Sequence, residues 1–316
     1  MDGAVVADIG GTNARFAWIG PDGRPTGERS LRVADYPGLI EALEAFRDGR
    51  RVRAACVAMA CPVEAEEVRL TNADFGFTKT AVRRHFGLEN FAVINDFTAQ
   101  ALALPHLDAG EAVAIGPQIS APAGLPLAVL GPGTGLGVSG LLPVGPRWVP
   151  LSGEGGHVSF APRDRAECDL LMVLSGRFGR VSVERILSGQ GLVDLHTARA
   201  ELAGTPYAVA PRAADITAAA LAGDAFATGT INTFLGILGG VAGDLALTLG
   251  SFGGVYIAGG IVPRVQPLLE ASPFRARFED KGRMGRLLAG VPTRLVVAPW
   301  PALVGCAARL REMVAV

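Results

Sequence analysis

Two short stretches of this sequence combine glycines with a hydroxyl or acidic side chain in a way that suits phosphate. They are Asp8-Ile9-Gly10-Gly11-Thr12-Asn13 and Gly131-Pro132-Gly133-Thr134-Gly135-Leu136-Gly137. Glycine is needed where the backbone takes φ > 0 or passes close to a ligand, and a turn that presents successive N–H groups makes an anion nest. Either stretch alone also reads as a hairpin turn. Taken together, each with a threonine at its tip, they suggest two loops facing one phosphate chain. Asp8 is either a turn-capping carboxylate or a carboxylate beside bound phosphates. In the second case a cation must lie between the like charges, and Mg²⁺, which keeps several waters and takes few protein carboxylates, fits.

A second set of residues suits proton transfer and the binding of a small polar ligand. Asn95-Asp96-Phe97-Thr98-Ala99 puts two polar residues where an apolar run turns into a helix. Asp at a helix start is commonly an N-cap, but at the mouth of an open α/β sheet it is also placed to accept the proton of an attacking hydroxyl. In Ser152-Gly153-Glu154-Gly155-Gly156-His157, Glu154 and His157 stand three residues apart across two glycines, so both can converge on one ligand. Zinc would ask for Cys or more His nearby, and Cys168 stands alone. His85, His106 and His196 read as surface groups or satisfied core groups. Glu184, in Val183-Glu184-Arg185-Ile186-Leu187-Ser188-Gly189, reads equally as a solvated helix charge or a site residue.

Other classes are excluded by residue. A Walker A loop needs a lysine after glycine, and neither Lys79 nor Lys281, the only lysines, follows one. A dinucleotide fold needs GxGxxG between strand and helix, whereas Leu136 occupies the third glycine position and the residues after it look extended. The net charge of −1 and the lack of basic clusters with interleaved aromatics give no footprint for nucleic acid.

The elements that must position these residues are legible as apolar runs. Residues 4–9 and 14–19 read as strands flanking the first glycine turn, 52–59 and 91–95 as buried strands, and 37–47 and 96–104 as helices. From 127 to 142 the chain repeats its opening arrangement of apolar run, glycine turn and apolar run. A long helix is expected over 229–250, a strand over 254–258 ending in Gly259-Gly260, and a closing helix over 302–313. Strands alternating with helices imply an α/β fold. Its 316 residues, 49% of them hydrophobic, can bury a large core in two lobes. No run of about 18 apolar residues suggests a membrane span. The start MDGAVVADIG lacks a secretory pattern, and the four cysteines form no CxxC pair, so a reduced cytoplasmic protein is expected.

In order along residues 5 to about 305, these motifs, with Gly259-Gly260-Ile261 and Trp300-Pro301, resemble the bacterial glucokinase family of the actin-like sugar kinases. The resemblance implies an α/β, two-lobed actin-like ATPase (ribonuclease H-like) fold. A small α/β lobe (1–106 plus 299–316) and a larger α+β lobe (107–298) would close on a ligand cleft. It implies phosphorylation of D-glucose at the 6-hydroxyl by Mg·ATP. Asp96 would be the general base, and Asn95, Glu154, His157 and Glu184 would hold the sugar. Gly10, Gly11, Thr12, Asn13, Gly133, Thr134 and Gly135 would line the phosphates, Gly259-Gly260 would approach the nucleotide, and Asp8 would face Mg²⁺ through water. It also implies a homodimer. Phe75 stands where the family usually has Trp, shortly after Thr71-Asn72. No cysteine-rich zinc motif follows His157 and no helix-turn-helix precedes the first strand, so the repressor-type relatives are disfavoured. Another hexose as substrate, or a sugar sensor without turnover, are the rival readings.

Overall fold

The computed structural model describes residues 3–70 and 73–314. The chain forms two compact units. Met1–Glu111, Leu141–Ser152 and Ala298–Val316 make the first, and Ala112–Gly140 with Gly153–Val297 make the second. Residues 141–152, which the sequence reading left in the larger lobe, group with the first unit. One tie is a hydrogen bond of 2.8 Å between the Ser152 and Thr98 hydroxyls.

The first unit is built on a five-stranded sheet in the order Pro25–Arg32, Asn13–Ile19, Ala4–Ile9, Ala54–Met59, Asn90–Asn95. Ala4–Ile9 pairs antiparallel with Asn13–Ile19 and parallel with Ala54–Met59, which in turn runs parallel to Asn90–Asn95. Ile9, Met59 and Asn95 share one register row, so the three parallel strands end together. Open α/β sheets bind ligands outside the carboxyl ends of their strands, and both Asp8 and Asp96 lie at that edge.

Side chains alternate across a strand, and Ala4–Ile9 shows the consequence. Val5, Ala7 and Ile9 enter a core with Phe16, Phe46 and Phe75, while Ala4 and Val6 pack with Leu303, Cys306 and Leu310 of the Pro301–Val314 helix. Asp8 continues the second row. Phe75 is fully buried in the first of these cores, a packing role; Thr71 and Asn72 lie outside the described residues. The Pro301–Val314 helix also lies against the Asp96–Ala103 helix. A Cβ at Gly305 would collide with the Ala99 carbonyl, so the close approach of the two helices requires glycine there.

The second sheet has the order Arg147–Gly153, Leu136–Val144, Leu127–Pro132, Gly254–Ile257, Thr293–Val296, Ala112–Ala114. The core of the second unit surrounds the Ala225–Leu249 helix, with Phe234, Leu235, Leu238 and Ala242 fully buried. By length and composition alone this helix is long and apolar enough to cross a membrane. However, 61% of its most apolar window is buried against the rest of the fold, as befits a core helix.

Candidate functional site

Asp8 pairs across the strands with Arg15, and the guanidinium Nη1 lies 3.2 Å from the carboxylate. Burial raises the Asp8 carboxyl above its ordinary value, and the charge and hydrogen bond of Arg15 oppose that shift. Arg15 also lies over the Trp300 ring, 4.7 Å from its centroid, and its Nε is buried without a partner among the described residues. Sequence reasoning missed this arginine. The signal available was its position as the first cation after the glycine turn, at the residue an antiparallel hairpin sets opposite Asp8.

The turn itself closes through Gly10 N–H to the Asn13 carbonyl at 3.0 Å, leaving Gly11 and Thr12 exposed. Neither Gly10 nor Gly11 has positive φ, and a Cβ on either would meet nothing within 4 Å. The φ > 0 explanation therefore does not apply to these two glycines. Nothing in the protein's own packing demands them, which leaves close approach of a ligand as the physical reason for glycine.

At the next strand end Asn95, not Asp96, is the N-cap of the Asp96–Ala103 helix. Its Oδ1 accepts from Phe97 N–H at 2.9 Å and Thr98 N–H at 3.2 Å. The capping reading thus belongs to the preceding residue, whose Nδ2 is a donor not used in the cap. Asp96, in the first turn, accepts from Phe97 N–H through Oδ1 at 2.9 Å, and it is half-buried at the sheet edge. One turn on, buried Thr98 holds Ser152, two residues before Glu154.

In the second unit the turn Gly155–His157 brings Glu154 and His157 together, with Oε2 and Nε2 4.0 Å apart. The paired glycines are required by close approach: a Cβ at Gly155 would lie 2.9 Å from the Val138 side chain, and one at Gly156 would collide with the Leu136 carbonyl. Glu184 completes the group, its Oε1 3.9 Å from His157 Nδ1. These three polar side chains, two of them largely exposed, make a cluster suited to binding several hydroxyls.

The second glycine loop adjoins this cluster. Gly133 N–H bonds the Gly135 carbonyl at 2.8 Å, and Thr134 is exposed at the tip. Gly189 N–H bonds the Gly133 carbonyl at 2.8 Å, and Glu184 Oε2 accepts from Leu136 N–H at 2.8 Å. Gly259, with φ of +81°, packs so tightly on Gly131 and Pro132 that any side chain would collide with their backbone, whereas Gly260 faces open space. The structure therefore brings Gly133, Thr134, Gly135, Gly259 and Glu184 together, a link between Glu184 and the loop that spacing alone did not show.

For a metal, Asp8 offers one partly buried carboxylate beside open backbone, which suits Mg²⁺. Among the described residues no three His, Cys, Asp or Glu side chains gather into a metal cluster. Lys79 and Lys281 are engaged elsewhere, with Val63 O and Asp244. Of the cysteines, Cys56, Cys61 and Cys306 are buried and Cys168 is exposed, all of them free thiols.

Two of the other histidines make contacts within the fold. His85 pairs with Glu44 at 2.8 Å at the surface, and His196 is buried between the Thr230 and Tyr207 hydroxyls at 2.9 and 2.8 Å. Burial, then the Arg199 charge, lowers the His196 pKa below the ordinary 6.5. The folded state therefore binds fewer protons than the unfolded chain below that value. This stabilisation is complete above the unfolded pKa and is lost as pH falls below it. The expected result is a melting temperature that falls as pH drops below the ordinary histidine value, and a fall reduced in His196→Gln. Scanning calorimetry between pH 7.5 and 5.5 checks it, and an equal drop in the variant would exclude His196.

Two mixed sheets, each with a glycine-rich turn at a strand end, together with a carboxylate at a helix start and a polar cluster beside the second turn, define an actin-like sugar kinase. Residues 5–313 match the family model described as Glucokinase, and the chain belongs to that family. It is 49% identical to the glucokinase of Chromohalobacter salexigens over 98% of each chain. It is 48% identical to that of Aromatoleum aromaticum over 98% of this chain and 95% of the relative. Among solved structures, a glucokinase from an Antarctic psychrotroph superposes with a TM-score of 0.90 at 36% identity, covering 99% of both chains.

Proposed function

We infer that this protein transfers the γ-phosphoryl group of ATP to the 6-hydroxyl of D-glucose. The observation that carries this reading is the Glu154, His157, Glu184 cluster beside a glycine loop with an exposed threonine. A polar cluster of acceptors and a donor fits sugar hydroxyls, and the loop's N–H groups and Thr134 hydroxyl fit phosphate oxygens.

In this reading Asn95 Nδ2 donates to a sugar hydroxyl, Glu154 and Glu184 accept from hydroxyls, and His157 does either according to its tautomer. Asp96 takes the proton of the 6-hydroxyl as its oxygen bonds to the γ-phosphorus. The bond from that phosphorus to the β,γ-bridging oxygen breaks, and ADP leaves with the electron pair. Phosphoryl transfer asks little covalent chemistry of the protein, so positioning and charge neutralisation supply most of the rate. Gly10, Gly11, Thr12 and Asn13 join Gly133, Thr134 and Gly135 in holding phosphates, and Gly259-Gly260 border the nucleotide. Arg15 sets a cation beside Asp8 in a chain nearly devoid of lysine. Asp8 would hold Mg²⁺ through water, which when bound offsets phosphate charge. Cytoplasmic location and a homodimer complete the proposal, the second on family resemblance.

ADP release measured across glucose, mannose, fructose and N-acetylglucosamine tests the reading. The expected outcome is a kcat/KM for glucose at least tenfold above every other sugar; a higher value for another hexose would reassign the substrate, and no ADP release with any sugar would reduce the protein to a sensor.

A further inference from the structure

Glu184 touches more than the sugar cluster. Its two carboxylate oxygens are divided between tasks: Oε1 lies 3.9 Å from His157 Nδ1, and Oε2 accepts the Leu136 N–H at 2.8 Å, at the exit of the second glycine loop. The contact is closer still at Gly135, where a Cβ would sit 2.5 Å from Oε2. Gly135 has no positive φ, so what a side chain there would meet is the carboxylate itself, which would have to shift.

The carboxylate is held firmly. It rides on the one-turn segment Val183–Arg185, which Ser182 closes by accepting Arg185 N–H, and Val183, Ile186 and Leu187 anchor it in the core. Five residues on, Gly189 N–H holds the Gly133 carbonyl. The segment thus grips the loop at both ends, Gly133 and Leu136. With Gly133 N–H spent on Gly135 and Leu136 N–H spent on Glu184, the N–H groups of Thr134 and Gly135 are the loop's donors without a protein acceptor among the described residues.

From this geometry we propose that Glu184 is a positioning residue for the nucleotide as well as a ligand of the sugar, so that one carboxylate couples the two substrates. The proposal rests on the sugar-ligand reading of Glu184 and adds the link to the phosphate loop. Hexose on Oε1 fixes the side chain whose Oε2 sets the aim of the Thr134 and Gly135 N–H groups. By linkage the effect is reciprocal: whatever displaces the carboxylate from the loop side weakens hexose, and whatever removes it weakens nucleotide even with no hexose present.

Titration calorimetry on the full chain separates these effects. Mg·AMPPNP is titrated into hexose-free protein, and glucose into nucleotide-free protein, for wild type, Glu184→Gln, Glu184→Ala and Gly135→Ala. Glu184→Gln keeps an amide oxygen to accept Leu136 N–H, so its AMPPNP affinity should stay within about twofold of wild type while its glucose affinity falls about tenfold or more. Glu184→Ala should lose about fivefold to fiftyfold in AMPPNP affinity without any sugar. Gly135→Ala, a change in the phosphate loop, should lower glucose affinity about tenfold without any nucleotide. Unchanged AMPPNP affinity in Glu184→Ala, or unchanged glucose affinity in Gly135→Ala, would overturn the coupling. Should Glu184→Ala not fold by circular dichroism, Gly135→Ala together with the Gln variant decides alone. Unchanged glucose affinity in both Glu184 variants is a different failure, since it removes Glu184 from the sugar site.

Discussion

Replacing Asp96 by Asn should lower kcat by about 10²–10⁴-fold, the range that a positioned general base supplies, while glucose affinity measured by calorimetry changes less than about threefold. The substitution is isosteric, and its amide oxygen can still accept from Phe97 N–H as Oδ1 of Asp96 does. The helix start does not depend on Asp96, because Asn95 accepts from both Phe97 and Thr98. What the variant lacks is a group that takes a proton, so a loss confined to kcat isolates that function. Asp96→Ala is the control: it also removes the bond to Phe97 N–H and should lose some glucose affinity in addition. An Asn variant with near wild-type kcat would take Asp96 out of the base role. A parallel fall in glucose affinity and kcat would make it a sugar ligand first.

The sequence carried much of this placement because periodicity and glycine punctuation are local signals. The expected strand at 4–9 is Ala4–Ile9, and the expected helix at 96–104 is Asp96–Ala103 followed by a short turn at Leu104–His106. The long helix begins at Ala225, four residues before the expected start, since Asp224 caps it by accepting Ala227 N–H at 2.7 Å. That helix tolerates several glycines despite their cost to helix propensity. Gly239, for one, meets the Phe274 carbonyl closely enough to exclude any side chain. The cap was assigned one residue late because Asn95 and Asp96 are both good caps, and only the backbone tells which is the extended one.

What stayed hidden depended on contacts distant in sequence. Leu136 and Glu184 lie 48 residues apart and join through a single N–H, a pairing no local pattern encodes. The reasons for glycine also differ from place to place in ways the letters do not show. Gly10 and Gly11 face open space, Gly135 meets a carboxylate, and Gly259 needs both a left-handed φ and a gap against Pro132. Gly133 of the second loop, with no positive φ and no neighbour closer than 4.0 Å, falls with Gly10 and Gly11, so each loop keeps a glycine for which a ligand is the remaining explanation.

Neutralising Asp8 should therefore be nearly as damaging as neutralising Asp96, by a different route. Asp8→Asn keeps an oxygen toward Arg15, whose Nη1 now lies 3.2 Å from the carboxylate, but it removes the negative charge that would draw Mg²⁺ to the first phosphate loop. A cation that stabilises developing phosphate charge contributes several kcal/mol, and about 3–4 kcal/mol corresponds to a factor of about 10²–10³ in rate. The expected result is a fall of that size in kcat/KM for ATP at saturating glucose, with a higher free Mg²⁺ concentration needed for half-maximal rate and glucose affinity unchanged. Burial already works against the charged form of Asp8, so the amide should cost the fold little, and a melting temperature near that of wild type would show that the lost rate is not lost structure. If kcat/KM and the Mg²⁺ dependence both stayed at wild-type values, the carboxylate would be no more than Arg15's partner in the hairpin. The metal would then have to be held by the nucleotide and water alone.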